Sequence, residues 1–415
     1  MGLGFTICFP VGQDQNTGRE RYEEYFRNIP SIVPNWTTRC LFDEDGFRVK
    51  LVPFEEEVYG EWEDGRLCIS AKTNSAGPGY HAYLIDILDG LRVSPISVED
   101  ETGYYEDRDF GHLQDQMAGW LKGVSEQLLE MSEESDYMDF SISLSTDWSP
   151  ENTGHFASCP LGYFEKDFFE MARKHEYMAP KFFVWWHREQ DARFFRNVLL
   201  NMIWCEINWL PPETDTEYEA IAAALACFDK AYASDPGLGY PIDELKELSG
   251  LAGTGGSFGI VYSDMIKKYR PRHGELAELR GYMRGAIRRN VVGWHLTHDG
   301  NMHSSIEEDG SLVLWDDRRT IRITILSVQL KEDVPNKSET LLRDVTEKEE
   351  GCEPLRLRNP EIAACIQRSV IEENGETLYM TRMTAALDNE IMVMSLFSID
   401  EGDREWATKI CASVS

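Results

Sequence analysis

The stretch IAACIQRSVIEENGETLYMTRMTAALDNEIMVMSLFSI, Ile362–Ile399, combines runs of β-branched and apolar residues with two turn signals. Asn374-Gly375 favours a tight hairpin, because both residues tolerate a positive φ. Asp388-Asn389 marks a second turn further along. The stretch therefore predicts three consecutive antiparallel strands, and such a sheet accompanied by helices indicates the α+β class.

Segments on both sides of this stretch extend the sheet and add helices. SLVLWDD, beginning at Ser311, and RTIRITILSV, beginning at Arg319, predict strands. KSETLLRDVTEKEE, beginning at Lys337, and DREWATKICASV, beginning at Asp403, have the apolar spacing of amphipathic helices. With a first strand in VVGWHLTHDG, residues 291–300, the predicted order is β-β-β-α-β-β-β-α.

This order, with the closing sequence FSIDEGDREWATKICASV, resembles the Mog1/PsbP-like fold. That group includes DcrB and the chaperones of type VI secretion effectors. The resemblance covers residues 291–415 of the 415-residue chain and includes no catalytic motif. It implies an antiparallel sheet with helices, and a role in binding proteins or peptides.

The length of the chain exceeds that of one ordinary domain. We expect a multi-domain α+β protein with three parts. Residues 1–150 predict a domain of mixed helices and strands, and residues 151–290 predict a mainly helical domain. Residues 291–415 predict the antiparallel sheet with helices.

The charge balance narrows the choice of partner. The chain has 73 acidic and 41 basic residues, a formal net charge of −32. Such a surface repels nucleic acid and anionic membranes, so we expect neither as a partner. A basic protein partner fits the charge, and solubility alone is the other explanation for it.

The cysteines and the N-terminal sequence predict a location. Nine cysteines are scattered without a CxxC pair, and most lie in apolar surroundings, which is typical of reduced thiols in a cytoplasmic protein. The start, MGLGFTICFPVGQDQ, lacks the basic region of a secretory signal. No apolar run reaches membrane-spanning length. We therefore expect a cytoplasmic protein.

The segment from Glu99 to Asp109, EDETGYYEDRD, combines acidic and aromatic residues. Acidic side chains steer a basic partner toward a surface, and tyrosines anchor it. The alternative is a solvated loop without a partner. The predicted partner-binding residues are Glu99, Asp100, Glu101, Tyr104, Tyr105, Glu106, Asp107 and Asp109.

A second candidate lies in SAKTNSAGPGYHAYLIDILDGL, Ser70–Leu91, where a strand, a glycine loop and a helix follow one another as in a phosphate site. The match to GxxxxGK[ST] is incomplete, because the lysine precedes the glycines and Pro78 removes an N–H donor. The loop is therefore either a structural turn or an anion site. A stripe of arginines spaced by four, on one predicted helix face, is a further candidate, with docking on the protein's own acids as its alternative. The possible anion-binding residues are Lys72, Thr73, His81, Arg280, Arg284 and Arg288.

Other motifs lack the context that their chemistry needs. The glycine-rich loop Gly250–Gly259 contains the pattern GxSxG, but no apolar strand precedes it. His295 and His298 fall on opposite faces of a strand, which is poor spacing for one metal ion, and His303 follows a turn. We therefore predict no catalytic residue, no metal and no cofactor.

These observations favour a protein that binds another protein. The most concrete hypothesis is an immunity protein that neutralises a secreted bacterial toxin by steric and electrostatic blocking. One alternative is an enzyme acting on a phosphorylated or nucleotide ligand through residues 72–81. Another is a chaperone or adaptor for a secretion effector. The sequence leaves the oligomeric state open.

Overall fold

The computed structural model describes residues 2–12, 15–134, 139–151, 153–253, 267, 281–328, 336–347, 351–373 and 375–415. The chain divides into two compact units. Unit 1 comprises Met1–Thr146 and Asn152–Met283, and unit 2 comprises Asp147–Glu151 and Arg284–Ser415. Helices and antiparallel sheets occur in both units, which confirms the α+β class. The region predicted as a separate helical domain belongs, up to Met283, to the same unit as the N-terminal region.

Unit 1 is built on a six-stranded antiparallel sheet with the strand order β2-β3-β4-β5-β1-β6. Unit 1 also contains a separate three-stranded sheet with the strand order β10-β9-β7. The strands of unit 1 are β1 Gly4–Pro10, β2 Arg39–Phe42, β3 Gly46–Lys50, β4 Val58–Glu63, β5 Arg66–Lys72, β6 Ser97–Asp100, β7 Phe140–Ser141, β9 Ala157–Cys159 and β10 Gly162–Phe164.

The helices of unit 1 carry apolar faces, and two of them have side-chain caps at their N-termini. Asp191 accepts a hydrogen bond from the Phe194 N–H, and Thr214 with Glu217 forms a capping box, so two helix starts are fixed by sequence. The helices are α1 Gln15–Arg27, α2 Pro78–Gly90, α3 Tyr104–Asp107, α4 Phe110–Glu134, α5 Lys166–Ala172, α6 Ala179–Phe182, α7 Ala192–Cys205, α8 Asp215–Ser234 and α9 Ile242–Leu251. In the part of the chain that the structure describes, no helix combines the length and apolar character that crossing a membrane requires.

Unit 2 holds a seven-stranded antiparallel sheet and a three-stranded one. Their strand orders are β13-β14-β15-β19-β18-β17-β16 and β12-β11-β8. The elements are β8 Trp148–Pro150, β11 Ala286–Val291, β12 Trp294–Asp299, β13 His303–Ile306, β14 Leu312–Trp315, β15 Arg319–Ser327, α10 Lys337–Thr346, β16 Glu353–Leu355, β17 Ala363–Glu373, β18 Glu376–Leu387, β19 Glu390–Ser398 and α11 Arg404–Ser413.

The three strands predicted from Ile362–Ile399 are β17, β18 and β19, paired in sequence order. Gly375 and Asp388 have φ of +84° and +50° at the two turns, as hairpin turns require; Asn374 lies outside the described residues. Alternate side chains of β19, including Met392 and Met394, face a core that also contains α11. Burial of these apolar side chains is what holds the helix on the sheet.

Two disulfides correct the expectation that all nine cysteines are reduced. Cys8 and Cys68 lie directly opposite each other on β1 and β5 and are bonded, with their Cα atoms 4.0 Å apart. Cys352 is bonded to Cys365 on β17, with their Cα atoms 5.9 Å apart. The strand register brings the first pair together, and no spacing rule in the sequence reveals it. The free cysteines are Cys40, Cys159, Cys205, Cys227 and Cys411.

Thiol labelling checks this pairing. Protein denatured without reductant should label at the five free cysteines, and reduction before labelling should raise the count to nine. Peptide mapping by mass spectrometry should find Cys8 linked to Cys68. Nine labels without reductant would contradict the pairing.

Candidate protein-binding site

The acidic segment, Glu99–Asp109, starts on the edge strand β6, forms the one-turn helix α3 and ends at the start of α4. The pairing of β6 with β1 places Asp100 opposite Phe5. Regular structure on both sides therefore holds the ends of the segment in place.

Asp100 points inward and organises the backbone of the acidic segment. Its Oδ1 accepts hydrogen bonds from the Thr102 N–H at 2.9 Å and the Thr102 hydroxyl at 2.8 Å, and its Oδ2 accepts one from the Tyr105 N–H at 2.8 Å. His81 Nε2 lies 3.4 Å from Oδ1. Burial raises the pKa of Asp100, but the hydrogen bond and charge of His81, with the two N–H donors, outweigh it and lower the pKa to about 2.

Tyr104 also points inward. Its side chain is buried, and its hydroxyl accepts a hydrogen bond from Arg188 at 3.0 Å. Arg108 donates to both carboxylate oxygens of Asp89, at 2.8 and 3.0 Å, in a forked geometry. These contacts tie α3 to the neighbouring helix α2, on which Asp89 lies.

The remaining acids of the segment are exposed, and three of them also bind backbone N–H groups. Glu101 Oε2 accepts a hydrogen bond from the Gly4 N–H at 2.8 Å, Asp107 Oδ1 accepts one from the Asp109 N–H at 2.8 Å, and Asp109 Oδ1 accepts one from the His112 N–H at 3.1 Å. Among the described residues, none of these acids forms an ion pair with a basic side chain. Tyr105 is half-buried, with the Arg108 guanidinium 4.8 Å above its ring. The predicted partner-binding set therefore divides into buried residues, which fix the backbone from inside, and exposed residues, which can contact a partner although three of them also accept a backbone hydrogen bond. The exposed acids are Glu99, Glu101, Glu106, Asp107 and Asp109.

The stretch Ser70–Leu91 forms the strand, loop and helix that its sequence predicts, as β5 and α2. Several N–H groups of the loop, however, are already bonded within unit 1. The Ala76 N–H donates to Glu55 Oε2 at 2.8 Å, and the Gly79 N–H donates to the Trp185 carbonyl at 3.0 Å. A carboxyl group of the protein itself therefore occupies one of the donors that a bound anion would use.

The two glycines of the loop permit a close approach of chain rather than of a ligand. Gly77 has φ of +111°, and a Cβ there would lie 2.8 Å from the Trp185 carbonyl oxygen. A Cβ at Gly79 would overlap the Trp185 indole. Only glycine fits such positions without strain.

The predicted anion-binding residues do not converge. Lys72 is exposed at the end of β5, whereas His81 is buried, with Nδ1 2.9 Å from the Thr73 hydroxyl and Nε2 3.2 Å from the Thr102 hydroxyl. Thr73 is fully buried. The anion site stays a prediction, but the geometry gives Lys72 and His81 no shared ligand position.

The prediction of one helix face for the arginine stripe is wrong for its described members. Arg280 lies outside the described residues. Arg284 ends the 3₁₀ turn Tyr282–Arg284, and Arg288 lies on β11. A spacing of four residues aligns side chains only on a helix, and the chain has entered a strand by Ala286.

His295 and His298 lie on opposite faces of β12, as their spacing predicts. Burial alternates along this strand. His298 is buried and His295 half-buried, so they lie on opposite faces. Burial, with the nearby Arg289, lowers the pKa of His298 to about 3. His303 is buried on β13. Of the loop Gly250–Gly259, only its first four residues are described, and its GxSxG lies outside them.

Glu55 is the chemically unusual residue that sequence reasoning missed. It is fully buried, and burial raises its pKa to about 8, although N–H bonds from Glu56 and Ala76 act to lower it. In the sequence EEEVYG it precedes two further glutamates, and nothing in the run marks it as the buried one. The apolar VPF before it is the only available signal.

Asp100→Asn should loosen the acidic segment. An amide offers one acceptor oxygen where the carboxylate uses two, so at least one bond to Thr102 or Tyr105 is lost, and the free energy of unfolding should fall by about 1–3 kcal/mol. Hydrogen exchange should speed up at residues 101–105. Glu106→Gln, an exposed change with the same loss of charge, is the control; equal exchange in both variants would contradict the assigned role.

Glu55 should give unit 1 a measurable pH dependence. Its folded-state pKa of about 8 exceeds the ordinary value of 4.5, so its contribution to stability is fully present below pH 4.5 and is lost as the pH rises through 8. The loss is at most about 1.4 kcal/mol per pH unit. The measurement is the free energy of unfolding, from chemical denaturation at pH values from about 5 to about 9. Glu55→Gln should flatten its dependence on pH, whereas the exposed Glu56→Gln should keep that dependence. An unchanged slope in Glu55→Gln would refute the assignment.

Comparisons with known proteins add weak structural likenesses. No family model matches the chain, and no curated protein matches it. A crystal structure from Bacteroides thetaiotaomicron VPI-5482 is similar at a TM-score of 0.26 and 10% identity, over 29% of this chain and 44% of that one, so the chain spans less than half of its length. The solution structure of cyanobacterial PsbP (CyanoP) from Synechocystis sp. PCC 6803 is similar at a TM-score of 0.18 and 10% identity, over 31% of this chain and 90% of that one. PsbP is thus among the weak structural neighbours of this chain.

Proposed function

We propose that this protein binds a basic partner protein through the acidic segment of unit 1. The single observation that supports the proposal is the combination of five exposed carboxylates with a backbone fixed from inside by Asp100 and Tyr104. A surface that is already ordered loses little entropy on binding, and like charges on it attract a basic partner at long range.

The more specific part of the proposal is that the protein is an immunity protein that neutralises a bacterial toxin. The support for this step is the net charge of −32 and the lack of an intact catalytic motif in the sequence. Inhibition would follow from covering a basic catalytic cleft with the acidic segment, which blocks access and compensates the charge of the cleft.

The compartment is also part of the proposal. A cytoplasmic location requires that Cys8, Cys68, Cys352 and Cys365 be reduced in the cell, because disulfides persist mainly in oxidising compartments. Trapping thiols in source cells at the moment of lysis decides between the locations. Nine trapped thiols fit the cytoplasm, and five fit an oxidising compartment.

The other two candidate functions gain less support. The nucleotide enzyme needs Lys72 and His81 at one ligand, and the first is exposed while the second is buried. A chaperone or adaptor would hold an unfolded or apolar effector segment, whereas the acidic segment exposes charge. Binding of an unfolded effector, rather than a folded toxin domain, would favour the chaperone.

A charge-matched pair of variants tests the acidic segment. Variant A changes its five exposed acids to amides, which keep an acceptor oxygen for the backbone N–H groups bound by Glu101, Asp107 and Asp109. It leaves Asp100 intact, because that carboxylate uses both of its oxygens to hold the backbone. Variant B changes five exposed acids elsewhere in unit 1, so its net charge is the same. The substitutions are Glu99→Gln, Glu101→Gln, Glu106→Gln, Asp107→Asn and Asp109→Asn in variant A, and Glu20→Gln, Glu61→Gln, Glu126→Gln, Glu130→Gln and Asp229→Asn in variant B.

The partner to use is the purified product of the gene next to that of this protein, if it encodes a basic toxin domain. Variant A should associate at least about tenfold more slowly and with a flatter dependence on salt, as expected for a lost steering surface. Variant B should change the rate much less. Equal effects in A and B would show that only the net charge of the protein matters, and would refute the acidic segment as the binding site.

A further inference from the structure

Unit 2 contains an open cavity of about 630 Å³ beside β12 and α11. Pockets for small molecules have volumes of this order. One part of its wall is apolar and is formed by Trp406, Ile410 and Ala412 of α11. The rest is polar and includes Thr297 of β12.

Two acidic side chains line the cavity, and both are engaged within unit 2. Glu151 accepts a hydrogen bond from the Thr297 hydroxyl at 2.9 Å. Asp299 accepts one from the Trp406 indole N–H at 3.2 Å and lies 3.5 Å from the Arg319 guanidinium. Arg319, whose closer partner is Asp403 at 2.6 Å, thus compensates part of the negative charge of Asp299.

Three basic side chains also line the cavity: Arg288, Arg358 and Lys409. Arg358 is exposed and forms no hydrogen bond or ion pair with any residue in the described part of the chain. Arg288 donates one bond, to the Ser415 hydroxyl at 3.1 Å. A guanidinium has five N–H donors, so most of the donors at this wall are open.

Trp406 is held in place before any ligand arrives. Its N–H is bonded to Asp299, and the Arg319 guanidinium lies 4.8 Å from its ring, in the geometry of a cation–π contact. The indole also packs against the buried core of unit 2. A fixed flat surface beside open guanidinium donors suits a ligand with a flat apolar part and an anionic group.

We propose that this cavity binds a small organic anion, a carboxylate or phosphate ester with a flat apolar body. The guanidinium groups of Arg358 and Arg288 pair with the anionic group, because charge-assisted bonds to carboxylate or phosphate oxygens are the strongest that arginine makes. Trp406 and Ile410 contact the apolar body. The site lies entirely within unit 2 and is independent of the acidic segment of unit 1.

Titration calorimetry on the full chain with three probes tests the proposal. Phenyl phosphate combines the ring and the anion, inorganic phosphate has only the anion, and benzyl alcohol has only the ring. Phenyl phosphate should bind, and more tightly than either other probe. Arg358→Gln should weaken it at least about fivefold, since a bond to a charged group is lost.

The control is Arg343→Gln, which removes the same charge from an exposed position on α10 and should leave binding unchanged. If Arg358→Gln does not fold, Arg288→Gln takes its place, with the same expected weakening. The proposal is overturned by absence of phenyl phosphate binding at millimolar concentration. It is also overturned by equal loss in Arg343→Gln, or by equal binding of inorganic phosphate, which would indicate an adventitious ion only.

Discussion

The buried contact between His81 and Asp100 is the constraint on which the surface of unit 1 depends. Both side chains are almost completely shielded from water, with exposed fractions of 0% and 2%. The contact joins α2 to the edge strand β6, and the same carboxylate fixes the backbone at Thr102 and Tyr105. An unpaired carboxylate at this depth would be costly in free energy, so losing one of its partners would destabilise the whole network of hydrogen bonds around Asp100.

A second buried carboxyl group, that of Glu55, explains the start of α2. The stretch Ser70–Leu91 has the outline of a phosphate loop because a strand, a turn and a helix N-terminus present N–H donors together. In this protein Glu55 takes one of those donors and the carbonyl of Trp185 takes another. The same geometry that would bind a phosphate therefore serves internal packing, and the glycines are needed for the approach of Trp185.

The sequence predicted the parts of the fold that local patterns determine. The strands from Ile362–Ile399 have the pairing that apolar periodicity and turn residues indicate, and the stretch Ser70–Leu91 has the predicted order of strand, loop and helix. It did not predict what depends on register or depth. Cys8 meets Cys68 only because of how β1 pairs with β5. Within residues 151–290, predicted as mainly helical, Gly162–Phe164 forms the strand β10, since its pairing with β9 outweighs local preference.

The candidate site shows the same limit in a sharper form. Composition located the acidic segment but could not tell which of its side chains point inward, and Asp100 and Tyr104 do. Spacing by four suggested one face for Arg284 and Arg288, but spacing has that meaning only within a helix. Direction relative to the core is a property of the fold, so it was not available from composition or spacing.

Solubility and recognition place different demands on an acidic surface. Solubility depends on net charge, and the position of each acid does not matter for it. The acidic segment meets a stricter condition, because the buried side chains of Asp100, His81 and Tyr104 fix the backbone that carries its exposed carboxylates, while those acids repel one another. Fixing like charges side by side opposes folding, and it favours binding only when an opposite charge is matched to them. This ordering is the physical reason to prefer recognition over solubility for this segment.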